Sequence, residues 1–165
     1  MYRSSLYQKS DETLKNFSRI FNMDKTYPHL RFIPNQTETY DNDGIIYNEL
    51  TGTFIGFDWE YRERYFENCK FYFDSLGQYE RKIIKPSIQL AIQCDSTETG
   101  IAIGWHEDWI KENKIQLNLA TDGKKQFGTV RYTKNFKIYS YKGISQFKAM
   151  LNKAFEKSQF NHEAF

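Results

Sequence analysis

Hydrophobic and polar positions alternate along this chain with two different periods, and each stretch that keeps one period predicts one element. Over residues 10–22, SDETLKNFSRIFN, the apolar positions Leu14, Phe17 and Phe21 share one face of a helix. Ser10 reads as its N-cap, with Asp11 and Glu12 set against the positive end of the helix dipole. Glu12 is therefore read as dipole chemistry and left out of any site. Toward the other end, Gly143 to Ser158 carries Ile144, Phe147, Met150, Leu151, Ala154 and Phe155 as a wide apolar stripe. That stripe predicts a second helix packed against the core, followed by a frayed tail from Gln159.

Between the helices the dominant period is two. Residues 24–42 contain Pro28, Pro34 and a polar run, which predicts a loop holding one strand at Leu30 to Ile33. Ile45 to Leu50 and Thr53 to Tyr61 are strand-like and meet at Thr51-Gly52, where glycine suits a tight hairpin turn. Arg64 to Asp74 and Gln78 to Lys85 flank Ser75-Leu76-Gly77, predicting another hairpin. In Ser87 to Cys94, Ile88, Leu90, Ile92 and Cys94 face one way and Gln89, Ala91 and Gln93 the other. This predicts a strand with one buried side, paired antiparallel with Gly100 to Trp105 across Asp95 to Thr99. Ile115 to Ala120 and Phe127 to Tyr132 predict a further hairpin about the strong turn signal Asp122-Gly123. The expected fold is α+β: a single domain, residues 1–165, with a mostly antiparallel sheet of hairpins over 43–141 and one helix from each end packed on it.

Composition narrows the function. A chain of 165 residues suits one domain with a real core. A net charge of +2 excludes a strongly basic nucleic-acid coat, so any contact with phosphates must come from locally placed lysines. One such group is Lys124, Lys125, Arg131, Lys134 and Lys137, interleaved with Phe127, Tyr132 and Phe136. Basic residues among aromatic ones suit phosphate contact and base stacking, and equally suit a hairpin edge guarded by lysine. Cys69 and Cys94 lack the spacing of a metal finger and read as reduced thiols of a cytoplasmic protein. No apolar run approaches the roughly 18 residues of a membrane span, and the N-terminus has no signal-peptide core. His106-Glu107-Asp108 is a cluster of a kind that can bind metal or relay protons, but with one histidine and no second ligand at metal spacing it reads as the polar end of a strand.

Candidate chemistry concentrates at Asp43 to Glu60. Period two puts Asp58, Glu60 and Arg62 on one face of a strand. A two-residue turn would pair Leu50 with Thr53, setting Ile45 opposite Asp58 and Asp43 opposite Glu60 on that same face. Asp43, Asp58 and Glu60 would then converge. Carboxylates so close repel one another unless protonation or a divalent cation relieves them, and oxygen-only donors suit Mg2+ or Mn2+.

An acidic residue, a β-hairpin, and an apolar strand ending in acid-x-acid resemble the core of the PD-(D/E)XK nucleases, the superfamily of many restriction enzymes. The resemblance covers Asp43 to Glu60, with 10–22 as a preceding helix. It implies a magnesium-dependent endonuclease acting on DNA, with Asp43 and Asp58 as metal ligands. Glu60 occupies the position usually held by lysine, and would help bind metal or orient water. Arg62, Lys70 and Lys82 are then candidates for the missing cation. Restriction-type cutting implies a homodimer. The apolar strand ending in Asp58-x-Glu60 also resembles the first motif of DEDD 3′–5′ exonucleases, though without that family's further acidic motifs downstream. A rival of another class is a non-catalytic inhibitor from a mobile element, whose aromatic and charged surface occludes a protein or nucleic-acid partner.

Overall fold

The computed structural model describes residues 2–35, 42–111, 114–118, 125–158 and 160–162. The chain runs α1 (Tyr2–Met23), β1 (Leu30–Pro34), β2 (Gly44–Asn48) and β3 (Thr53–Arg62). It continues through β4 (Phe66–Glu67), β5 (Lys70–Phe71), β6 (Ser75–Tyr79), α2 (Glu80–Ile83), β7 (Leu90–Asp95), β8 (Gly100–Trp105) and α3 (His106–Ile110). Then come β9 (Lys114–Asn118), β10 (Lys125–Tyr132), β11 (Lys137–Ser140), α4 (Ile144–Lys157) and β12 (Asn161–His162). The class is α+β, as expected: the main sheet has the order β1-β2-β3-β7-β8-β11, with β12 also pairing β3, and is antiparallel except between β3 and β7. A smaller sheet, β6-β10-β9, lies apart from it.

Both terminal helices cover one face of the main sheet. Leu14, Phe17 and Phe21 of α1 and Phe147, Leu151 and Phe155 of α4 pack with Ile55, Phe57 and Trp59 of β3 and with Leu90 and Ile92 of β7. Phe17 is the hub, meeting Phe32 edge to face at 5.1 Å and Trp59 at 5.3 Å. Two polar groups inside this layer are satisfied: the Trp59 indole donates to Thr13 Oγ1 at 3.2 Å, and the buried Lys148 ammonium donates to the carbonyls of Phe21 and Asp24. The second bond set closes the C-terminal end of α1, whose last carbonyls have no partner within the helix.

The opposite face is covered by a second, smaller core of Phe66, Leu76, Ile83, Trp109 and Phe136 against Ala102 of β8. This layer changes several expectations. The helix predicted from Ser10 begins at Tyr2, because nothing before Ser10 breaks a helix and serine can sit inside one. Ser75 to Tyr79 is a strand paired with β10, not a turn; the turn lies earlier, where Asn68 and Cys69 both take positive φ between β4 and β5. Residues 80–83 are helical where a strand was expected. β7 is buried along its whole length and not on one side, since the second layer covers Ala91, Gln93 and Asp95. The Asp95 carboxylate is spent structurally, accepting bonds from Cys69 N and from Thr97 and Thr99. Beyond α4 the chain is not frayed throughout: Phe160 stacks near Trp105, and β12 joins β3, while Gln159 lies outside the described residues.

β3 is pinned to the loop before β7 by a close approach that only glycine permits. Gly56 N donates to Gln89 Oε1 at 2.7 Å, and Gln89 N donates to the Gly56 carbonyl at 2.9 Å. A Cβ built on Gly56 would lie 1.8 Å from the Ser87 carbonyl oxygen. Gly56→Ala is therefore expected to destabilise the protein by about 1–3 kcal/mol, lowering the melting temperature by about 2–4 °C per kcal/mol. Thermal unfolding followed by circular dichroism checks this, and an unchanged melting point would refute the close-approach account.

Candidate active site

The hairpin that carries the acidic residues has a longer turn than a Thr51-Gly52 pair would make. Asn48 pairs with Thr53, so residues 49–52 form the loop. Asn48 organises it: its side-chain oxygen accepts from Leu50 N at 3.0 Å, its carbonyl accepts from Gly52 N at 2.9 Å, and Gly52 supplies a φ of 72°. The register thereby moves by two residues, with Ile45 opposite Gly56 and Gly44 opposite Phe57. Asp43 stands across from Asp58, not from Glu60 as a two-residue turn would have it. Its backbone N–H donates to the Phe57 carbonyl at 3.0 Å, and its carboxylate accepts from Trp59 N at 2.7 Å.

Around this pair the second layer brings in partners from distant parts of the chain. Lys82 of α2 places its Nζ 3.3 Å from Glu60 Oε1 and 3.8 Å from Asp58 Oδ2. Gln78 of β6 donates from Nε2 to Glu60 Oε1 at 3.1 Å and lies 3.5 Å from Asp58 Oδ2. Arg62 forms an ion pair with Glu60 and donates to Gln93 Oε1 of β7, the residue opposite Glu60 in the parallel ladder. Asp58 is 7% exposed and Gln93 fully buried. Among the described residues the Gln93 amide nitrogen has no hydrogen-bond partner.

Protonation follows from this arrangement. Burial, reinforced by Glu60 and Asp43 and opposed by Lys82, pushes the Asp58 carboxyl up to about 8. Burial also works against charge on Glu60, but Arg62, Lys82 and the Gln78 amide outweigh it and hold that carboxyl down at about 2. Lys82 is raised above its ordinary value, its desolvation exceeded by the attraction of Glu60 and Asp58. Burial takes the His106 imidazole down to about 4 despite the pull of Glu60. At neutral pH the cluster thus holds an ionised Glu60 between two cations, a protonated Asp58 beside Asp43, and a neutral His106.

No family model, curated protein or solved structure matches the chain.

The donor set of Asp43 and Asp58 is all oxygen, which suits a hard divalent cation. Among the described residues no three His, Cys, Asp or Glu side chains gather as a metal cage, and Glu60, expected as a third ligand, is turned to Arg62 and Lys82. Two carboxylates are nevertheless what magnesium commonly takes from a protein, the remaining positions going to water and substrate phosphate. A buried carboxyl forced to keep its proton is the unrelieved state of such a pair, and a cation between Asp43 and Asp58 would relieve it.

The other expected site residues divide. Arg62 is on the acidic face and engaged with Glu60, as its period placed it. Of the candidate lysines, Lys82 enters the cluster, whereas Lys70 is exposed on the small β4–β5 ladder. The described members of the basic group have separate partners. Lys124 and the side chain of Lys125 lie outside the described residues. Arg131 donates to the Asn135 carbonyl, Lys134 stands over the Tyr132 ring, and Lys137 lines a separate groove. Gln78 and Gln93 were missed: polar residues carry no local signal for a site assembled by tertiary packing. His106 opens α3 and is buried, so it is not the solvated strand end expected of His106-Glu107-Asp108.

Proposed function

We propose that the chain is a metal-dependent nuclease that hydrolyses phosphodiester bonds in DNA, similar in its catalytic hairpin to the PD-(D/E)XK class. The observation that supports this best is the buried Asp58 carboxyl, held against Asp43 within reach of an ammonium group and a second, ionised carboxylate. Asp43 and Asp58 would hold Mg2+ or Mn2+, which when bound lowers the pKa of water and offsets charge on a phosphoryl oxygen. Lys82 fills the role of the lysine absent at position 60. Its ammonium, already shared between Asp58 and Glu60, is placed to meet negative charge developing on phosphate. Glu60 is too weak a base, at about 2, to take a proton from water near neutral pH. Its role is to accept a hydrogen bond and orient the nucleophile, while Arg62 and Gln78 hold it in place.

A second reading has its own support. Glu60 neutralised by Arg62 and Lys82 also suits a silent site in an inhibitor that merely occludes a partner. Thermal unfolding with and without magnesium or manganese separates the two, because an ion that binds the native state raises its melting temperature. The nuclease is expected to gain about 2–3 kcal/mol of stability at 100 times its dissociation constant for the ion, and to nick DNA under the same conditions. No shift and no cleavage at millimolar metal would leave the inhibitor.

A further inference from the structure

Beside the carboxylate cluster runs a groove of about 1020 Å³, walled by α4 and the segment between α2 and β7. None of Asp43, Asp58 or Glu60 lines it. Its aromatic lining is Trp105, Tyr139 and Phe160, with the Trp105 and Phe160 rings nearly parallel at 15° and 6.1 Å apart. Exposed Ile84 and Ile110 extend that apolar surface. Among the described residues four lysines line the same groove, Lys85, Lys137, Lys153 and Lys157, against one acidic residue, Glu107. Ile83, next to Lys82 in the chain, lines the groove, and so does the buried His106.

We infer that this groove binds a single-stranded stretch of the nucleic acid, its bases stacked on the aromatic lining and its phosphates on the lysines. The inference rests on the nuclease reading for the fate of the strand, but not for its binding. Four cations to one anion complement a polyanion. An aromatic lining is of use only to bases that are unstacked, since a duplex keeps the faces of its bases inside and offers mainly phosphate. Single strands gain about 1–3 kcal/mol for each base stacked on an aromatic side chain, whichever base it is, so this contact sets strandedness rather than sequence.

The test is fluorescence anisotropy of an end-labelled oligothymidine with the full chain in EDTA, comparing the parent with the double variant Lys153→Gln, Lys157→Gln. Both lysines are exposed on α4, so the fold is unthreatened. The double variant is expected to bind about tenfold more weakly, and the slope of log affinity against log salt to fall by about 1.4. A second readout needs no variant: Trp59 and Trp109 are 4% and 0% exposed, so quenching of tryptophan fluorescence by the oligonucleotide reports Trp105. Quenching by the single strand, with weaker binding of the matching duplex, is the expected result. Unchanged affinity in the double variant, absence of quenching, equal binding of the duplex, or equally effective competition by polyglutamate would each overturn the inference. Its failure is distinguishable from that of the nuclease reading. Metal-dependent cleavage with no groove effect defeats the groove alone, whereas strand binding with no metal-induced shift defeats the nuclease alone.

Discussion

Asp58→Asn is expected to abolish magnesium-dependent cleavage, by at least about 10²-fold, while leaving the metal-free protein more stable than the parent near pH 8. The sign comes from where Asp58 holds its proton. Its folded carboxyl titrates near 8, against an ordinary value of 3.8. Between those limits the unfolded chain releases a proton that the folded chain keeps, so stability falls as pH rises through the window. Each pH unit inside it costs about 1.4 kcal/mol, and the whole effect is a few kcal/mol once the coupling to Glu60 is allowed for. Glu60 acts in the other direction. Its folded carboxyl is depressed to about 2 from 4.5, so its stabilisation is full above 4.5 and is lost as pH falls toward 2. Stability of the parent in EDTA should therefore peak near pH 4, where the two windows meet, and decline toward pH 8. Asparagine, which never ionises, should remove the alkaline decline and leave the acid limb.

Metal binding draws on the same proton. A cation between Asp43 and Asp58 requires Asp58 ionised, so binding at neutral pH should release up to one proton and tighten as pH rises. Thermal unfolding across pH, with and without magnesium, measures both effects. A flat parent profile between about pH 5 and 8, or a magnesium-induced rise that survives in Asp58→Asn, would remove Asp58 from the site.

That Asp43 and Asp58 share a face was legible in the alternation of the two strands, even though the pairing inferred from it was not the one formed. The expected register was displaced by two residues, because Asn48 builds a longer loop than Thr51-Gly52 suggests. Side chains alternate with period two, so a slip of two preserves the face while changing the partner. A slip of one would have lost the pair. The helices were legible for a similar reason: Leu14, Phe17 and Phe21, or Ile144, Phe147 and Leu151, repeat on a period that only one core-facing surface can satisfy.

What local pattern could not convey is the second layer. Ser75-Leu76-Gly77 has the composition of a turn, yet β10 pairs along it and Leu76 is buried. The alternation of Gln89, Ala91 and Gln93 implies a wet face, yet Gln93 ends beneath Arg62 with no access to solvent. Once β6, α2 and α3 cover that face, residues with no shared motif become neighbours: Gln78 and Lys82 both reach the acidic strand from this layer. A strand motif would place the cation at position 60, where this chain has glutamate. Of the candidates for it, Lys82 stands 3.3 Å from Glu60, from a helix 22 residues further on.

If Lys82 supplies that cation, Lys82→Ala should lower kcat by about 10²–10³-fold with little change in KM. The side chain is partly exposed, and Arg62 still holds Glu60, so the stability lost at neutral pH should be only about 1–2 kcal/mol. A structural role would give that stability change without the selective fall in kcat. Two further measurements sharpen the distinction. Lys82→Arg keeps the charge but replaces a compact ammonium with a planar fork, and should restore stability more fully than rate. A small alkylammonium ion added to Lys82→Ala should recover part of kcat, because the deleted side chain leaves room beside Glu60 and Asp58 for a charge of the same kind. The same ion should do nothing for Asp58→Asn, which lacks a metal ligand. Full activity in Lys82→Ala would return the role to Arg62, the other cation on Glu60. Loss of activity that neither arginine nor an alkylammonium ion repairs, with an equal rise in KM, would make Lys82 a residue that shapes the site without acting on phosphate.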